Sequence, residues 1–207
     1  TWRIMDPAYR NLFKNLERDK DFVLARRNAI KKEFEKIKNQ MLEEFNDHPV
    51  TREIEAGIDA SNISGTLNNI TNLFSFIGFS AGDNPTAPIK DLLQKSTFRI
   101  HGGAASGVAL ATFEIPSAKT IFSVTPLPWA SGRSWARGIE RGISGLGYYL
   151  RKSQGSRSGF GIQAKKQVQK GVRFRNTQYI SALINKYEKK FKDLNNIKIW
   201  NHHFHMI

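Results

Sequence analysis

Ile180, Leu183, Ile184, Tyr187, Phe191 and Leu194 recur at intervals of three and four, and Lys186, Lys189 and Lys190 fall off that face. This period puts the apolar side chains on one stripe of an α-helix, so residues 176–194 are predicted to form a helix that closes a core. A second stripe, Ile30, Phe34, Ile37, Met41 and Phe45, lies in a charged region predicted helical to about Asn46. Asp6-Pro7 supplies its start, an acceptor side chain followed by proline at the first helical position, with a break expected near Asp19. His48-Pro49 ends it, because a residue before proline avoids helical backbone. The stripe is read as packing on the chain's own sheet rather than on a helix of another subunit.

Residues 88–95 read as a short helix. Thr97–His101, 108–115 and 120–125 read as strands, with Pro116-Ser117-Ala118-Lys119 as a turn between the last two. The expected class is α+β: a long N-terminal helix, a small antiparallel sheet, a C-terminal amphipathic helix and an extended Gly-rich loop or arm. Residues 1–49 form the helical segment and 50–96 the loop or arm. Residues 97–207 hold the sheet, a basic segment and the closing helix, sharing one α+β domain with the N-terminal helix. The arm, 57–88, is rich in Gly, Asn and Ser and encloses Leu73, Phe74, Phe76, Ile77 and Phe79. Those five need burial, and flexible-looking flanks favour a neighbouring subunit as the cover.

Charge is distributed unevenly. Between Arg133 and Arg175 stand eleven Lys or Arg and a single acid, Glu140, within a chain of net charge +14. The eleven are Arg133, Arg137, Arg141, Arg151, Lys152, Arg157, Lys165, Lys166, Lys170, Arg173 and Arg175. Such a block calls for DNA or an acidic partner opposite it. Ser134 is placed to cap a short helix with Arg133, Arg137 and Arg141 along one ridge, while Trp135, Ile139, Ile143 and Leu146 point inward. Gly138 and Gly142 imply a close backbone approach or a helix that breaks near Gly142.

No motif carries catalysis. The Ser153–Gly161 region is basic and glycine-rich but lacks the Gly-Lys-Ser/Thr of a phosphate-binding loop. His202, His203 and His205 have no carboxylate or thiolate at ligand spacing, and Asp59, Asp83 and Asp91 sit in dissimilar contexts. With no cysteine, no disulfide or thiolate site exists. The N-terminus has no apolar signal core, and residues 60–82, though uncharged throughout, are too polar to span a bilayer. The expectation is a soluble protein made in a cytoplasm, with no cofactor, no metal and no membrane association.

Four stretches, covering about half the chain, resemble small virion proteins of tailed bacteriophages. They are His48-Pro49-Val50-Thr51-Arg52-Glu53-Ile54-Glu55-Ala56-Gly57; Ser64-Gly65-Thr66-Leu67 with residues 72–79; Thr125-Pro126-Leu127-Pro128-Trp129 through Leu150; and residues 156–165. In style they are most similar to neck and tail-completion proteins, the tail terminators and head–tail connectors. The resemblance implies a homo-oligomeric ring around the DNA channel, joined to other phage neck or tail proteins, with another tail or baseplate position as the alternative. A rival reading is a stand-alone nucleic-acid-binding protein whose Trp135, Tyr148, Tyr149 or Phe160 stack on bases.

Overall fold

The structure, a computed structural model, describes residues 11–12, 15–16, 18–69, 71–101, 110–128, 130–142, 150–152, 161–163 and 176–196. In chain order the helices are α1 (Lys20–Asp47), α2 (Pro49–Glu55), α3 (Leu73–Ile77), α4 (Ala87–Gln94), α5 (Ala118–Ser123), α6 (Trp135–Glu140) and α7 (Ile180–Asn196). The strands are β1 (Thr97–His101), β2 (Leu110–Glu114), β3 (Pro126–Leu127), β4 (Ala130–Ser134), β5 (Leu150–Lys152) and β6 (Gly161–Gln163). Each successive pair forms a two-stranded antiparallel ribbon. The class is mixed α+β, with a long N-terminal helix and a C-terminal helix.

The chain divides into two compact units. The first is drawn from residues up to Gln40, from Ser96–Ile115 and from Tyr187 onward; the second from Met41–Lys95 and Pro116–Lys186.

In the first unit, α1 starts where Asp19 turns its carboxylate onto the helix, accepting the amides of Asp21 at 2.8 Å and Phe22 at 3.1 Å. That is the break expected near Asp19, and it satisfies donors that a helix start leaves unpaired. β1 pairs with β2 in the register Phe98↔Phe113, and its side chains alternate between exposed and half-buried. Phe34 of α1 is the centre of the core. Its ring lies 5.1 Å from Phe98, 5.9 Å from Phe113 and 5.4 Å from Phe191. At Phe34 the stripe of α1 thus packs on the chain's own ribbon, and Ile30 one turn earlier is buried too, whereas Met41 and Phe45 belong to the second unit.

In the second unit α2 follows directly on His48, whose side chain caps it, with Pro49 at the first turn. The residue read as a helix stop is also a helix start. A 3₁₀ turn, Gly57–Asp59, leads into a loop held by side-chain hydrogen bonds, and then into α3. Asn72 caps α3 by accepting the Ser75 amide, and Gly78 ends it with φ of +92°, a conformation that favours glycine.

The extended arm is therefore not what the chain forms here. Leu73, Phe74, Phe76 and Ile77 are all buried in their own unit, at 2% exposure or less. Phe79 packs on Phe74 at 5.4 Å and edge-on to Trp135 at 5.9 Å. One turn of helix, its apolar surface covered from within, anchors flanks that are also held by the side chains of Glu53, Asn62 and Asn72.

The expected strand at 120–125 is instead α5. Ser117 accepts the Thr120 amide at 3.1 Å, so the presumed hairpin turn is a helix cap. Its β-branched residues suggested a strand, and the cap together with burial of Ile121 outweighs that preference. No helix among the described residues is long and apolar enough to cross a membrane.

Candidate partner-binding face

α6 is a short helix between two clear signals. Ser134 accepts the Arg137 amide at 3.1 Å, and Gly142, with φ of +72°, stops the helix just past Arg141. Trp135, Ala136 and Ile139 turn inward and are buried. Arg137 and Arg141 stand on the opposite, exposed side, four residues and hence about 6 Å of helix rise apart. Arg133 is exposed too, but it belongs to β4, one residue before the cap, so the single helical ridge of three arginines is corrected to two on α6 and its end with a third on the adjoining strand. Among the described residues none of these three guanidinium groups makes an ion pair.

The one acid of the basic segment does not neutralise them. Glu140 accepts the Ser181 amide at 2.6 Å and the Ser181 hydroxyl at 2.7 Å. It sits at the first turn of α7, where unpaired amides and the helix dipole favour a carboxylate. Sequence reasoning counted Glu140 but missed this role, because its partner lies 41 residues away. Glu140→Ala is expected to cost about 2 kcal/mol, the loss of two charge-assisted hydrogen bonds at a helix start. Thermal unfolding of the variant checks this.

Arg151 and Lys152 lie on β5, paired with Ile162 and Gly161 of β6. The two strands flank the segment 153–161 read as a flexible loop, overlapping it only at Gly161. Arg157, Lys165, Lys166, Lys170, Arg173 and Arg175 lie outside the described residues, as do Ile143, Leu146, Tyr148, Tyr149, Phe160, the C-terminal histidines and Asp6-Pro7.

A second polar cluster lies at a groove of about 380 Å³ lined by Glu44, Phe45, His48, Gln178, Tyr179, Ala182, Leu183 and Lys186. Lys186 pairs with Glu44 at 2.7 Å. His48 accepts the Val50 amide at Nδ1, 3.2 Å, and donates from Nε2 to the Gln178 carbonyl, 3.0 Å. Burial lowers its pKa, against the opposing pull of the Gln178 carbonyl and Glu44. With both ring nitrogens held by backbone, the imidazole has no lone pair for proton transfer to a substrate. Tyr179 is fully buried, its hydroxyl 2.9 Å from that of Thr51, and burial raises its pKa beyond the ordinary phenol range. The cluster is built to hold helices together. Among the described residues, no group of three His, Cys, Asp or Glu is placed to hold a metal ion.

No protein-family model, curated protein or solved structure shows significant similarity to the chain.

Proposed function

We propose that this protein is an assembly component that meets a polyanion through its basic segment, and that it serves as a structural protein of a tailed-phage virion. In that reading copies form a ring in the neck or tail-completion region, and the basic face lines or approaches the DNA channel. The observation that carries the polyanion is the exposed set Arg133, Arg137 and Arg141, left without an ion pair among the described residues while Glu140 is committed to α7. The virion assignment rests on the resemblance of the four stretches. Subunit contacts in such a ring fall to surfaces other than residues 73–79, whose apolar side chains are turned inward.

The kind of contact follows from what lies beneath the arginines. Trp135, the aromatic nearest them in sequence, is buried and cannot stack on a base. Exposed guanidinium groups above a buried indole favour phosphate contact, which positions a duplex without reading its sequence. A protein surrounding a DNA channel needs that property, because the duplex must slide past.

Fluorescence anisotropy with random duplexes across a salt series tests the reading. Binding is expected to be weak, indifferent to sequence and steeply weakened by salt. Replacing Arg133, Arg137 and Arg141 together by Ala is expected to reduce the slope of log affinity against log salt by about 2 to 3, one phosphate contact per arginine. The same variant should keep its unfolding temperature, since exposed arginines contribute little to stability. Tight, sequence-selective binding that survives physiological salt would instead indicate a regulator. Mass spectrometry of purified particles, expected to find this chain in multiples of a ring, tests the virion assignment separately.

A further inference from the structure

His48 occupies a position from which one proton can reach much of the second unit. It caps α2 through Nδ1 and ties the segment leading into α7 through Nε2 and the Gln178 carbonyl. α2 in turn carries Thr51, bonded to the buried Tyr179 hydroxyl, and Glu53, whose carboxylate accepts the amides of Ser64 and Leu73. We infer that His48 is a pH-sensitive latch: as the neutral Nε2–H tautomer it locks the start of α2 to the entry of α7, and on protonation it releases α2 and loosens the loop that Glu53 organises.

The geometry sets the direction. A neutral ring with its hydrogen on Nε2 can donate to Gln178 and accept from Val50 at once. An imidazolium has no lone pair at Nδ1, so the Val50 amide would face a second N–H and the cap must open. The Nε2 donation survives protonation and is strengthened by it. On α2, Arg52 and Glu55 are exposed and Glu53 is committed to the loop amides. On α1, Glu44 lines the groove and favours the charged ring, but it is already paired with Lys186 of α7. Glu43 and Asp47, also on the last turns of α1, are exposed. The Tyr179 ring lies tilted at 4.8 Å from the imidazole and stays neutral. Burial is the largest influence and disfavours the charge, in the same direction as the cap.

The sign follows from linkage. A histidine whose folded-state pKa lies below its unfolded value of 6.5 contributes stability that is fully present above that value and is lost as pH falls through the folded pKa. Release therefore belongs to mildly acidic conditions. At neutral pH the latch is closed.

Amide hydrogen exchange of the full chain, corrected for intrinsic rates, is the test. Between about pH 7.5 and about pH 5.5, protection of the Val50–Ile54 amides and of the Leu73 amide should fall about fivefold, the equivalent of one lost helix cap. His48→Asn keeps a good capping acceptor that does not titrate, so its protection over the same range should stay flat. An unchanged wild-type pattern overturns the inference, and so does the same loss in His48→Asn. Should the variant fail to fold, nitrogen-15 NMR of the wild-type imidazole still decides. An Nε2–H tautomer titrating below the ordinary histidine range supports the latch, whereas an Nδ1–H tautomer, or titration at or above that range, rules it out.

Discussion

Glu53→Gln is expected to lower the unfolding free energy by about 3 kcal/mol. Glu53 is wholly buried, and its two oxygens are shared among three donor groups. Oε1 accepts the Leu73 amide at 2.7 Å and Asn62 Nδ2 at 2.9 Å; Oε2 accepts the Ser64 amide at 2.8 Å and the same Nδ2 at 3.2 Å. Asn62 extends the network by accepting the amides of Leu67 and Asn69 at its own oxygen. A glutamine of the same shape has one acceptor oxygen and one NH₂, so one backbone amide must then face a donor. The cost is that of an unsatisfied buried donor together with a charge-assisted bond lost, and the loop from Asn62 to Leu73 has no strand or helix ladder to absorb it. Denaturant unfolding of the variant measures this. A loss below about 1 kcal/mol would show that the apolar anchors Leu67, Leu73 and Phe74 hold the loop without the carboxylate.

The carboxylate left a trace in the sequence, and it explains what pattern reading sees and misses. Val50, Glu53 and Ile54 follow at three and four, so a charged residue stands inside the buried stripe of a short helix. Periodicity recovers the two long helices because their stripes repeat over several turns and most of each stripe is buried. It fails for helices of five or six residues, where a cap decides the structure. Asn72 and Gly78 bracket α3 as acceptor and left-handed terminator, and Ser117 caps α5, yet both segments were read from composition as arm and strand. Local signals there outweighed average propensity.

The candidate partner-binding face was legible in part for the same reason. Ser134 and Gly142 mark the limits of α6, and the spacing of Arg137 and Arg141 against Trp135 and Ile139 separates outer from inner side. That Glu140 is spent on Ser181 was not legible, nor was the pairing of Thr51 with Tyr179 across 128 residues or of His48 with Gln178 across 130. These contacts exist only once the chain has folded. No spacing in the sequence encodes them.

Trp135→Ala is expected to cost about 4 kcal/mol and to separate the structural from the binding role of α6. The indole is 2% exposed, meets Phe79 edge-on at 5.9 Å and lies 6.3 Å from Tyr179, so it joins α3's buried segment to the arginine-bearing helix and the entry to α7. Truncation leaves a cavity that rings fixed on separate elements cannot close, and removes an aromatic pair worth about 1 kcal/mol beyond its area. Trp135→Phe keeps most of the apolar contact and should lose about half as much. The arginines above make the contrast: under the proposed function, replacing them is expected to leave stability alone and weaken DNA binding, whereas replacing the tryptophan is expected to destabilise the second unit and, below its unfolding temperature, to leave the salt slope of binding unchanged. Calorimetry and anisotropy on both variants read the two effects independently. A Trp135→Ala protein with its wild-type unfolding temperature but lost DNA affinity would mean that the indole faces the ligand, and that the arginines share their site with a stacking platform.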